Sequence, residues 1–287
     1  MGPTRAPCLG VVAPGRVGSL MLIHAFDFGQ RISAVGFKPP GGRLTTESGV
    51  DLSTGERTAQ GTLYYTPAVS NFVTVYAGTW VSKPFAEMSL ALSVVHGALY
   101  DVFLTPAATA LELVSWKTAP ITMTIASPCI VTWTAHGFSA NQYVVFSTTG
   151  ALPTGVTAGT PYYVASVTAD TFRLKEFGGG PDVNSSGTQS GVHTGWSGSA
   201  RGTALARQNG VLVKNGDATR LYLGTLRASG TNITEFSLAN RLVWNCYQQR
   251  QLALRRVDSG AHVINNIATI REWNLNALTR ATFVIGQ

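Results

Sequence analysis

Residues 211–226, VLVKNGDATRLYLGTL, read as two β-strands, 211–214 and 220–226, joined through the turn Asn215-Gly216-Asp217. β-Branched and aromatic side chains crowd both arms, and Asn215-Gly216 supplies the residue types that best tolerate the positive φ of a tight hairpin. The same texture continues outward in both directions. Residues 62–76, TLYYTPAVSNFVTVY, are strand-like runs broken at Pro67 and at Ser70-Asn71. GALYDVFL (97–104) and TALELVSW (109–116) look like hairpin arms around the turn TPAA. Helix candidates are scarce: FAEMSLALSV (85–94) and EFSLANRLVWNCYQQ (235–249) carry apolar spacings that suit a helix or a strand equally. The expected fold is all-β.

Composition agrees. The 287 residues are 45% hydrophobic and only 12% charged, with 31 glycines, against about 25% charged residues in ordinary soluble domains. Intrinsic disorder requires low hydrophobicity and high charge, so that class is excluded. No apolar run approaches the length of a membrane-spanning helix, and no membrane insertion is expected. Pro14, Gly15 and Arg16 interrupt what would be the apolar core of a leader, so residues 1–21 read as a flexible N-terminal arm. Cys8, Cys129 and Cys246 form no CxxC pair, and a disulfide framework is not expected of a chain made in a reducing cytosol.

The middle of the chain differs from its flanks. Residues 121–196 hold two basic and three acidic residues, with the turn-rich runs TTGALPTGVTAGTP and FGGGPDVNSSGTQSG between strand-like pieces such as CIVTW, YVVFS and TFRLKE. That spacing fits a small β-sandwich or barrel. LELVSW (111–116) reads as a strand whose partner is missing nearby, and TALARQNGVLVK (203–214) as its continuation after an interruption. The expected organisation is therefore a discontinuous, sandwich- or barrel-like host domain, 22–117 plus 202–287, carrying an inserted β module at 121–197.

At this point the residues carry a resemblance. The ordered set TAHGF, FSTTGALPTG, TPYYV, ADTFRL and SGTQSG, spread over residues 134–191, is similar to a small β module that recurs in tailed-bacteriophage structural and tail proteins. The flanks, through GGRLTTESGV, TLYYTP, FAEMSLAL, YDVFL, LELVSW, TALARQNGVLVKNGDATRLYLGTLR and RLVWNCY, resemble a family of phage virion proteins. In that family the LELVSW-like and TALARQNG-like pieces are separated by a short turn; here the module stands between them. A second departure follows RLVWNCY, where QQRQLALRRV replaces a Pro-containing basic stretch. The resemblance implies a non-enzymatic structural protein on the virion surface, of fibre or spike type on tail or head. The alternatives are a capsid decoration protein bridging capsomers and a polysaccharide-degrading spike enzyme.

Motifs for chemistry are sparse. His24, His96, His136, His193 and His262 show no metal-binding spacing, there is no GxSxG elbow, and FGGGP and KPPGG lack the ending of a phosphate loop. No catalytic residue, metal or cofactor is expected. His136, in Ala-His-Gly, reads as a turn residue whose side chain caps a loop. A glycosidase needs a carboxylate pair, and nothing singles out two among Asp27, Glu47, Asp51, Glu87, Asp101, Glu112 and Asp258. No internal repeat of the parallel β-helix kind accompanies them.

Trp80, Trp133, Tyr162, Tyr163 and Trp196 lie in or beside turn-rich stretches, which makes them candidates to stack on a host glycan. The competing reading puts Trp133 and one of the paired tyrosines in the module's core, since alternation sends Tyr162 and Tyr163 to opposite faces. Charge points elsewhere. Residues 201–287 contain ten arginines and one lysine against four acids, so the whole excess of +7 sits there. Arginine favours protein interfaces because its planar fork binds carboxylates and stacks on aromatics. Arg241, Arg250, Arg255, Arg256 and Arg271 are thus the candidate docking residues toward other subunits of a homotrimer and other virion proteins, and nucleic acid is not an expected partner.

Overall fold

The structure, a computed structural model, describes residues 39–249 apart from residue 238. It is all-β, with no helix among the described residues. The N-terminal arm read over 1–21 lies outside them, as do Arg250, Arg255, Arg256 and Arg271. Strands β1 (Gly42–Thr45), β2 (Arg57–Gln60), β3 (Thr62–Pro67), β4 (Phe72–Tyr76), β5 (Trp80–Pro84) and β6 (Met88–Ala91) come first. The ambiguous segment 85–94 is resolved as β6 and flanking coil. The sheet β1-β3-β6 and the β4–β5 ribbon supply one side of a sandwich.

The other side begins with β7 (Leu99–Leu104) and β8 (Leu111–Met123), which pair from Leu104↔Leu111 to Tyr100↔Ser115. The partner of 111–116 is therefore β7, immediately before it, which corrects the expectation of a missing partner. Next come β9 (Ile130–Thr132), β10 (Tyr143–Thr148), β11 (Tyr162–Ala165), β12 (Thr171–Lys175) and β13 (His193–Arg201). After them come β14 (Leu205–Gln208), β15 (Val211–Lys214), β16 (Asp217–Arg227), β17 (Thr234–Phe236) and β18 (Val243–Asn245). Residues 203–214 do not continue β8 but fold as the β14–β15 hairpin at the edge of the β7-β16-β15-β14 sheet. Segment 235–249 contributes β17 and β18 instead of a helix. Asn245 seals the edge of β1 with its carboxamide, accepting from Leu44 N at 2.6 Å and donating to Leu44 O at 3.1 Å.

Alternation explains the core. Tyr100, Val102 and Leu104 of β7 meet Leu63, Tyr65, Val73 and Val75 from the opposing strands and Leu221 and Leu226 of β16 in one buried cluster. Asp101 and Phe103 point to the other face. A second buried cluster is drawn wholly from residues 121–183, including Val131, Trp133, Phe146, Phe172 and Leu174. Its walls are β8, β9, β12, β11, β10 and β13, each antiparallel to the next, with β13 pairing back onto β8. The ring is closed, so none of its strands is left as an open edge.

The turn chemistry is sharper than the sequence implies. Of Asn215-Gly216 only Gly216 has positive φ, +81°, and the pairing slips between Lys214↔Asp217 and Val213↔Leu221. The tight hairpin with positive φ at both residues is Asn209-Gly210, at 50° and 87°, joining β14 to β15.

Candidate functional site

The barrel is joined to the β7-β16-β15-β14 sheet through β8 and β13. Leu111–Ser115 of β8 pair with β7, and Thr118–Ile121 pair with His193–Trp196 of β13. After a register shift, β13 returns with Arg201 opposite Trp116. Both strands of this ribbon are fixed to one carboxylate on β7. Asp101 is 2% exposed. Its Oδ1 accepts from Trp116 Nε1 at 3.0 Å and Thr225 Oγ1 at 2.7 Å, and its Oδ2 accepts from Arg201 Nε at 2.8 Å. Because the Thr225 proton goes to Asp101, the 2.7 Å contact between Tyr222 and Thr225 has the phenol as donor. Burial pushes the Tyr222 hydroxyl above its ordinary range, which keeps that proton in place. The Arg201 guanidinium lies 4.9 Å from the Trp116 ring centroid and 5.8 Å from that of Tyr222, adding cation–π attraction to the ion pair. A buried carboxylate is tolerable only with such a full set of donors.

Three further contacts close the junction. Val145 of β10 belongs to the cluster that holds Tyr100, Val102 and Leu104, and half-buried Trp196 packs against that cluster. The Trp196 indole donates to Ser147 Oγ at 2.9 Å, and its ring lies 6.2 Å from that of Tyr100. Gly97, just before β7, and Gly159 of the barrel cross so closely that a Cβ on Gly97 would stand 2.5 Å from Gly159 O. Only glycine fits there, and φ of +79° at Gly97 adds a second reason.

The structure separates the sequence candidates. Trp133 and Tyr162 are 1% and 3% exposed. This corrects the reading of them as glycan contacts: both rings are inside the barrel, where Trp133 lies edge-on to Phe138 at 5.0 Å and Tyr162 is 6.1 Å from Phe146. Tyr163, one residue on, is half-buried, as alternation requires. Trp80 is half-buried and donates to Asn209 Oδ1 at 3.2 Å. Arg241 is half-buried and its backbone bridges Phe236. His136 caps its loop: Nδ1 accepts from Phe138 N–H at 2.9 Å, so the ring proton sits on Nε2. Among the described residues no group of three or more His, Cys, Asp or Glu is placed to hold a metal.

Several of the candidate acids serve as ties. Glu87 accepts from Ser48 Oγ, Gly49 N and Thr66 Oγ1, each at 2.6 Å, and Glu47 pairs with Arg57. Glu112 receives Lys214 Nζ at 2.6 Å and Arg220 Nε at 2.7 Å. Partial burial raises the pKa of Glu87 and of Glu112, but these donors outweigh it and hold both below the ordinary carboxylate value of 4.5. Asp217 is also held low, chiefly by Thr219. A depressed folded-state value means the stabilisation is complete above the unfolded value and lost as pH falls through the folded one. The urea midpoint should therefore hold from neutral pH down to about 4.5 and then decline, and Glu87→Gln should flatten the decline. All three groups have solvent access, so each contributes modestly.

Sequence reasoning missed the Asp101 node. The signal available was one acidic residue, Asp101, set among Tyr100, Val102 and Phe103 in a strand that is otherwise apolar.

No protein-family model matches the chain, and no curated protein matches it. Among solved structures, Phage phi92 endosialidase is similar at 17% identity and a TM-score of 0.20, over 69% of this chain and 41% of that one. The chain thus spans about two fifths of that protein, and overlap at this TM-score carries no inference about fold or activity.

Proposed function

We propose that this chain is a non-enzymatic structural protein of the surface of a tailed-bacteriophage particle, a fibre- or spike-type component that assembles as a homotrimer. In this reading residues 121–197 are an inserted module, and the discontinuous host domain of 22–117 and 202–287 attaches to neighbouring virion proteins through its arginine-rich C-terminal part. One observation carries it. The stretch whose motifs resemble the phage module, from TAHGF to SGTQSG, supplies β10, β11 and β12 of a closed barrel that β8, β9 and β13 complete, which has its own core and departs from the host on a two-stranded ribbon. Such a barrel is a projection added to a platform, as decoration of a virion surface requires. The loops that follow β8 and β12 lie at its end away from the ribbon and carry the exposed side chains of Ile125 and Phe177. Any contact with a host glycan falls to that end.

The test is to delete residues 121–197, joining the ribbon strands by a short turn. The shortened protein should fold, trimerise and still bind its neighbours on the particle, with only adsorption or particle stability altered. Loss of folding of the remainder would overturn the insertion. Release of reducing ends from host capsule by the intact protein would overturn the non-enzymatic reading in favour of a spike enzyme.

A further inference from the structure

We infer that Asn215 is a site of spontaneous covalent modification, at which the folded protein converts a turn asparagine to aspartyl and isoaspartyl forms, while the chain's other Asn-Gly pair is protected. The chain has two such pairs, Asn209-Gly210 and Asn215-Gly216, at the two ends of β15. Both asparagines are exposed, so access does not distinguish them. Their restraints do. The Asn209 carboxamide oxygen accepts from Trp80 Nε1 and from Gln208 Nε2, both at 3.2 Å, and its backbone is fixed in the left-handed region with φ 50°. Neither the Asn215 carboxamide nor the Gly216 amide has a hydrogen-bond partner among the described residues, although Asn215 N itself donates to Ala204 O at 3.0 Å.

The chemistry needs only what is present. The Gly216 backbone nitrogen, giving up its proton, attacks Cγ of Asn215; a new N–Cγ bond closes a five-membered imide as the Cγ–Nδ2 bond breaks and ammonia leaves with that proton. Water then adds at either imide carbonyl, giving an aspartyl or an isoaspartyl linkage. Gly216 has no side chain to block the approach. At Asn209, turning Cγ toward the Gly210 nitrogen first breaks two hydrogen bonds and moves a locked turn.

The position gives the change a consequence. The new carboxylate appears between Lys214, which binds Glu112 at 2.6 Å, and Asp217, which lies 3.8 Å from Arg220. It competes for Lys214, and the isoaspartyl form lengthens the backbone of the turn that sets Lys214↔Asp217. The protein thus carries a clock at the turn between β15 and β16.

The experiment incubates the full-length folded protein at mildly alkaline pH and follows both Asn-Gly peptides by mass spectrometry, with an isoaspartyl methyltransferase to mark the isoaspartyl product. Conversion at residue 215 should exceed that at residue 209 by about tenfold. The two rates should converge in denaturant, and Trp80→Phe should raise the rate at residue 209 alone. Equal rates in the folded protein, or an inert Asn215, would overturn the inference.

Discussion

Asp101→Ala should cost about 3–5 kcal/mol of folding free energy, the range expected when one partner of a buried ion pair is removed. That is a large share of the 5–15 kcal/mol typical of a folded domain. The substitution deprives Trp116 Nε1, Thr225 Oγ1 and Arg201 Nε of their common acceptor and loosens both strands of the ribbon at once. Arg201→Ala should be severe for the reciprocal reason, leaving a carboxylate that is 2% exposed without its counter-charge. The double variant should be less destabilised than the sum of the two singles, since each removes the same interaction. Denaturant midpoints of the three variants measure this coupling. Additive, sub-kcal losses would mean that Asp101 is not the anchor described here.

Trp133→Ala should cost about 3–5 kcal/mol, as large-to-small changes in a packed core do. The ring fills the barrel beside Phe138 and lies over Gly195, where a Cβ would come within 2.5 Å of it. The loss should therefore appear in the barrel: hydrogen exchange of β9, β12 and β13 should accelerate while β3 and β7 stay protected. Trp133→Phe should restore most of the loss. Unchanged stability would return Trp133 to the surface and to the glycan-contact role it first suggested.

What could be read in advance was what depends on near neighbours. Period-two alternation and turn residues placed β3, β4, β7 and β15 close to their observed bounds, β16 begins three residues before the expected 220, and alternation foretold that Tyr162 and Tyr163 would face opposite ways. Which of the two would face inward was not legible, because the phase is set by the register of pairing with β10 and β12 and not by the local pattern of β11 itself. Closure of the barrel was hidden for the same reason: it depends on β8 meeting β13 across the whole module. The 85–94 and 235–249 segments were ambiguous because their apolar spacings suit both periods, and only the neighbouring strands decide. Asp101 was one acid among fourteen. Its importance follows from donors that lie up to 124 residues away in sequence.

The most direct measurement is a reconstruction of the particle whose genome encodes this chain, at a resolution that traces strands. The protein should be found on the outer surface as a trimer, with the 121–197 barrel pointing outward and the arginine-rich C-terminal part against a neighbouring subunit. A barrel buried between capsomers would replace the fibre-type reading with that of a decoration protein, and a particle lacking the chain altogether would contradict the account.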